Sequence, residues 1–149
     1  MVPVRDPVHG VDACRGGWLS ARPEPAPGGA VTLVFTLHER FADCLAAAGG
    51  GIVVVDMPVG LLEAAAPGGR PCDAAARRLL GWPRRTSVFS PPARPALQAP
   101  DYREAIRRNG GGMSRQAFLI GPRIREVDAA VAAGGRARVH EGHPELAFM

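Results

Sequence analysis

The sequence predicts an α/β protein built on a mixed sheet: a three-strand meander, a helix, a parallel strand, a mostly helical stretch and a short fifth strand. Three observations carry this. The first third of the chain holds short β-branched and aromatic runs separated by Gly- and Pro-rich turns. Ile52-Val-Val-Val-Asp56 is a continuous apolar run ending in an acid, as a central parallel strand buried on both faces requires. Residues 57–136 then carry helical spacing with recognisable starts and stops.

Each element has its own justification. Val8–Cys14 reads as a short strand, Arg15-Gly-Gly17 as a tight turn and Trp18–Arg22 as the returning strand of a hairpin. Pro23–Gly29 is a loop, and Ala30–Thr36 is a third, antiparallel strand. Thr36 with Glu39 three residues on resembles a capping box. Phe41, Cys44, Leu45 and Ala48 then fall at helical spacing until Gly49-Gly-Gly51 stops the helix. After the Ile52–Asp56 strand, Pro71 opens a helix over Cys72–Leu80 and Gly81 closes it. Residues 83–100, with five prolines, form a long irregular loop. Asp101 with Glu104 caps Tyr102–Arg108, and Ser114 caps a turn from Arg115. Pro122 begins Arg123–Ala133, where Ile124, Val127 and Val131 form an apolar stripe. Ala137–His140 is the last strand, and Glu141–Glu145 a polar loop.

Composition bounds the function. With 149 residues, 46% hydrophobic and 21% charged, the chain suits one domain able to bury roughly 70% of its unfolded surface. Mean hydropathy is zero, which excludes disorder, and no apolar run approaches the roughly 18 residues of a membrane span. The amino-terminal Met1–Pro7 lacks the apolar core of a signal peptide. Three widely spaced cysteines, Cys14, Cys44 and Cys72, make neither a disulfide framework nor a zinc ribbon. A cytoplasmic protein is expected. The net charge is +4, and all 18 basic residues are arginine. The missing lysine reflects compositional bias, but bias does not explain placement. Residues 1–69 hold four Arg against seven acids, and residues 70–149 fourteen against seven. A basic second half suits either a solvated face or a polyanion such as nucleic acid.

Two acids stand where acids are costly. Asp12 interrupts the first strand and Asp56 ends the parallel one. If those strands are neighbours, the carboxylates converge and a divalent cation relieves their repulsion, with oxygen donors suited to Mg²⁺ or Mn²⁺. The alternative is a hydrogen-bonded Asp12 and an Asp56 that only caps a turn. Arg77, Arg84 and Arg94 could grip phosphates bidentately, or serve packing and ion pairing. Asp128 lies on or beside the stripe of its helix, about 200° from Glu126. It is expected to face inward, as a site acid or as the partner of an arginine. His140 and His143 suit a general base or a structural histidine.

An ordered series of motifs carries a resemblance. Gly10-Val-Asp12-Ala-Cys14-Arg15-Gly-Gly17-Trp18 is followed by Val55-Asp56-Met-Pro58-Val-Gly60-Leu61, Arg70-Pro-Cys72-Asp73 and Ala76-Arg77-x-x-Leu80-Gly81. Then come Ser87-Val-Phe89-x-x-Pro92-x-Arg94, Ser114-x-Gln116, Ile124-x-Glu126-Val-Asp128 and His143-Pro-Glu145. From Val8 onward the chain resembles the domain-of-unknown-function family 429, described as predicted nucleases with an RNase H-like fold. The resemblance implies a single RNase H-like domain with acids on its first and fourth strands, matched by Asp12 and Asp56. It makes 57–136 a helical insertion and Glu145 a third candidate metal ligand, the alternative being an acid in a polar loop. Family members continue past His-Pro-Glu into a last helix with paired acids, whereas this chain ends at Leu146-Ala-Phe-Met149. Two outcomes are expected: either the chain is C-terminally incomplete relative to the family, a truncated product, or the open sheet face that such a helix covers is met by a second copy or a partner. The function implied is a Mg²⁺- or Mn²⁺-dependent nuclease or phosphodiesterase. The alternatives are a non-catalytic RNase H-like binding or scaffold domain and, furthest from the motifs, a sugar-kinase-like nucleotide site, which needs a second Gly-rich half that is absent.

Overall fold

A computed structural model describes residues 7–149, so residues 1–6 lie outside the described residues. The chain divides into two compact units. One comprises the residues up to Val59 together with Glu126–Gly142, and the other Gly60–Arg125 with His143–Met149.

The first unit is the sheet. Its strands are β1 (Val8–Cys14), β2 (Gly17–Pro25), β3 (Val31–His38), β4 (Ile52–Val55) and β5 (Val139–Glu141), with α1 (Phe41–Ala47) between β3 and β4. The spatial order is β3-β2-β1-β4-β5. β1, β2 and β3 form the antiparallel meander, while β4 runs parallel to both β1 and β5. This is a mixed α/β sheet consistent with the RNase H-like arrangement.

Alternation along the strands gives the sheet two unlike faces. Val11, Trp18, Val53, Val55 and Val139 are buried with Phe41 and Cys44 of α1 and with Val127. Trp18 and Phe41 stack at a tilt, centroids 5.0 Å apart. On the opposite face Val8, Leu19, Leu33, Phe35 and Leu37 are exposed, Phe35 by 59%. The expected parallel strand is therefore buried strictly on one side only: Val53 and Val55 are inaccessible, Ile52 and Val54 half-buried.

The hairpin is longer than its turn residues suggest. β2 runs on through Pro23 and Pro25, paired with Leu33 and Val31. The Ala26 N–H donates to Ala30 O at 2.9 Å, which makes 26/30, and by alternation Glu24/Thr32, the hydrogen-bonded pairs. Pro23 and Pro25 thus occupy positions whose nitrogens point away from β3. Pairing with β1 reaches only Ala21 among the described residues, so the prolines cost no ladder bond there. β3 also continues to His38, so the Thr36–Glu39 capping box does not form. Burial decides the point: α1 starts at Phe41, which is inaccessible, and Asp43 accepts from the Arg40 N–H at 3.3 Å.

The second unit comprises α2 (Pro71–Leu80), α3 (Tyr102–Arg108), α4 (Arg115–Leu119), the start of α5 (Gly121–Ala132) and α6 (Pro144–Ala147). The caps expected at Asp101 and Ser114 are present, accepting from Glu104 N at 2.9 Å and Ala117 N at 3.0 Å. The proline-rich 83–100 stretch carries two 3₁₀ turns, Arg84–Ser87 and Arg94–Gln98. α6 replaces the expected polar loop, opened by Pro144 at its first position. An almost inaccessible ion pair, Arg70 to Asp73 at 2.6 Å, pins the start of α2.

Candidate functional site

The acids of the sheet unit meet by register. β1 pairs with β4 so that Val8 faces Ile52 and Val11 faces Val55. One step further, Asp12 stands beside Asp56. The Asp56 N–H donates to Val11 O at 3.1 Å, so the parallel ladder is still closed at this step. Both acids lie one residue beyond a buried valine and therefore project from the opposite, open face. Both are exposed. The fold thus brings together, on adjacent strands at their carboxyl ends, the two carboxylates that sequence spacing singled out. That edge is where open α/β sheets bind ligands.

The third strand at this edge contributes backbone. β5 pairs with β4 from Val53/Val139 to Val55/Glu141, and the Gly142 N–H donates to Val55 O at 2.9 Å. A side chain at Gly142 would strike Val54, whose Cγ1 lies 2.6 Å from the Cβ position. Glu141 accepts from the Val59 N–H at 2.9 Å, tying down the turn that follows Asp56.

Glu145 belongs to the second unit, in the single turn α6. Its Oε2 is buried with no hydrogen-bond partner, as is Nδ1 of His143 just before it. Buried polar atoms without partners are rare because each costs about 1–3 kcal/mol. Among the described residues, no three His, Cys, Asp or Glu side chains gather into a group that could hold a metal ion. The arrangement found is a pair of carboxylates, without a third.

The three arginines differ in availability. Arg77 is spent on loop oxygens: Nε donates to Val88 O at 2.9 Å, and the two terminal nitrogens to Gly68 O and Ser90 Oγ, each at 2.8 Å. Arg94 pairs with Glu63. Arg84 is exposed at the start of a 3₁₀ turn. The charge partition follows the units: Gly60–Arg125 with His143–Met149 holds twelve arginines against five acids.

Sequence reasoning missed Glu126. The helical wheel turned Asp128 inward, yet Glu126 is the residue whose carboxylate accepts from the Trp18 indole N–H at 2.9 Å and the Phe41 N–H at 3.0 Å. It satisfies an otherwise buried donor and the first turn of α1 together. Asp128 is half-buried and engaged in contacts of its own. A polar residue one position before the inaccessible Val127 was the only signal.

No helix among the described residues is long and apolar enough to cross a membrane. The family model described as "Protein of unknown function (DUF429)" matches residues 10–149. No curated protein and no solved structure matches the chain.

Proposed function

The chain belongs to the DUF429 family, and on that premise we propose a metal-dependent phosphodiesterase-like domain acting on nucleic acid. The observation that carries the reading is the side-by-side register of Asp12 and Asp56 at the carboxyl ends of β1 and β4. The donor set fits Mg²⁺ or Mn²⁺: Mg²⁺ is commonly held by one or two carboxylates, with waters and substrate phosphates completing its octahedron. Such a cation supplies charge neutralisation at the phosphate and activation of an attacking water.

The residues of the chain do the rest. Asp12 lies within β1 and Asp56 directly follows β4, its N–H still bonded to Val11 O, so the backbone holds the two carboxylates side by side. Glu141 and Gly142 fix the backbone beside them. The excess of arginine in the second unit supports attraction of a polyanion, with Arg84 the most available of the three candidates and Arg77 acting first as a loop staple. Glu145, with its unpartnered buried oxygen, remains the proposed further ligand, and the reading stands on Asp12 and Asp56 without it. A second copy of the chain is the proposed cover for the open sheet face.

Isothermal titration with Mn²⁺, alongside cleavage of single- and double-stranded RNA and DNA, tests the proposal. Binding that Asp12→Asn abolishes, with cleavage that EDTA stops, supports it. Absence of Mn²⁺ binding overturns it. The pairing of carboxylates without a third ligand favours one second reading, a non-catalytic nucleic-acid-binding domain. Its mark is salt-dependent affinity without cleavage.

A further inference from the structure

A separate cleft opens on the other side of the sheet unit. It has a volume of about 320 Å³, at the small end for ligand sites, and is lined by Pro7, His9, Ser20, Arg22, Thr36, His38 and the end of α1 at Ala47–Gly49. His9, Ser20 and His38 have the parity of the buried face, whereas Asp12 lies on the open face towards the other end of β1. The two sites share no residue.

The lining is built for negative charge. Among the described residues, none of those lining the cleft is an acid. Ser20 pairs with Thr36, and His9 and Arg22 each stand one residue past the last pair of the β1–β2 ladder, Gly10 with Ala21. Ser20 Oγ lies 3.0 Å from His38 Nε2, and its contact to Thr36 O is long at 3.4 Å. If His38 donates through Nε2, the serine proton is free to turn into the cleft. His9 is the telling residue. It is only 5% exposed, lines the cleft, and its imidazole makes no hydrogen bond with any described residue. Its ring nitrogens are not among the sealed, unpartnered polar atoms, and the cleft it lines is where a ligand can reach them. Burial, then the charges of Arg22 and Arg138, keep its imidazole below the ordinary histidine value. The Arg138 guanidinium itself is held by Gly51 O at 3.0 Å and Leu45 O at 3.2 Å. Arg22 is exposed and pairs with Glu24, a partner that a second anion can displace at the surface.

We infer that this cleft binds a small oxyanion, a phosphate or a carboxylate, between the Arg22 guanidinium, the Ser20 hydroxyl and the imidazoles of His9 and His38. The cleft suits a free ion or a small ester or acid rather than a polymer. An oxyanion there offers His9 an acceptor and competes with the Glu24 carboxylate for Arg22.

Isothermal titration of the whole protein with inorganic phosphate and, separately, with malonate tests this. EDTA is included throughout so that no cation at Asp12 and Asp56 contributes. Binding of phosphate, malonate or both is expected, at least tenfold weaker in Arg22→Gln and in His9→Asn. The preferred probe identifies the source of the oxyanion. Arg22 is exposed, so Arg22→Gln keeps the fold even if His9→Asn does not, and Ser20→Ala gives a third reading with an expected loss of several-fold. Failure of both anions to bind at 10 mM (about a hundred times a 0.1 mM Kd) overturns the inference. So does binding that Arg22→Gln and Ser20→Ala leave unchanged.

Discussion

The Trp18 indole N–H donates to the Glu126 carboxylate at 2.9 Å, across 108 residues of sequence. Trp18 is inaccessible, so the donor has no recourse to water if the acceptor goes. The Phe41 N–H uses the same carboxylate oxygen. Glu126→Leu is expected to cost about 2–4 kcal/mol, two donors being stranded at roughly 1–3 kcal/mol each. Glu126→Gln, which keeps an acceptor, is expected to cost about half as much. Urea unfolding followed by tryptophan fluorescence measures both, and equal costs for the two variants would deny the acceptor role.

Arg70 and Asp73 form an ion pair that is almost wholly inaccessible, the Asp73 carboxylate also accepting from the Arg70 N–H at 2.9 Å. Breaking one side strands a buried charge. Asp73→Ala is expected to cost about 3–5 kcal/mol, and the paired apolar replacement Arg70→Met with Asp73→Leu distinctly less. Thermal unfolding of the two variants gives the comparison.

At the candidate metal site the expectation is opposite. Asp12 is exposed, so Asp12→Asn should leave the unfolding midpoint within about 0.5 kcal/mol of the parent while abolishing Mn²⁺ binding. Glu145→Gln separates the further ligand from the pair: unchanged Mn²⁺ affinity removes Glu145 from the site and leaves Asp12 and Asp56 in it.

His9 gives a pH dependence with a definite sign. Its folded value lies below the ordinary histidine value of 6.5 that the unfolded chain shows. The unfolded state therefore takes up the proton first as pH falls. Stability is fully present above about pH 6.5 and is lost as the pH falls from there through the folded value. His9→Gln should flatten that part of the profile in melting scans from pH 5 to 8, and a bound oxyanion, which favours the protonated ring and so raises the folded value, should flatten it as well.

The exposed row of Leu33, Phe35 and Leu37 lies on edge strand β3, whose span from Val31 to Leu37 carries no charge and no proline. Such an edge invites pairing. Self-association by light scattering is expected, and Phe35→Lys should shift it towards monomer. A parent protein that stays monomeric at high concentration would count against a second copy on this surface.

Much of this was legible in the sequence. The order of strands and helices followed from local chemistry, because Gly turns, the Pro71 start and the Asp101 and Ser114 caps act within a few residues. Asp12 and Asp56 could be singled out as acids in apolar runs. Their adjacency could not, since it depends on β1 choosing β4 as its parallel neighbour. The misreadings share one cause. Thr36 and Glu39 offered a cap, and Pro23 offered a break, but the burial of Phe41 and the orientation of the ladder overrode both. Glu126 escaped for the same reason: a helical wheel shows which residues share a face, not what stands opposite them. The cleft of His9, Ser20, Arg22 and His38 draws on three strands and left no spacing signal at all.

Pro23 and Pro25 bear on how the sheet can grow. Their nitrogens, turned away from β3, carry no hydrogen, so a segment laid along that side of β2 would find two consecutive rungs without a donor. β3 has no such gap on its outer side, where the residues from Val31 to Leu37 alternate free donors and acceptors. The hairpin is in effect a ribbon with one sealed margin and one adhesive one. Among the described residues of the hairpin, the β3 margin is the one that offers an added strand, from a copy of itself or from another chain, an unbroken row of donors and acceptors.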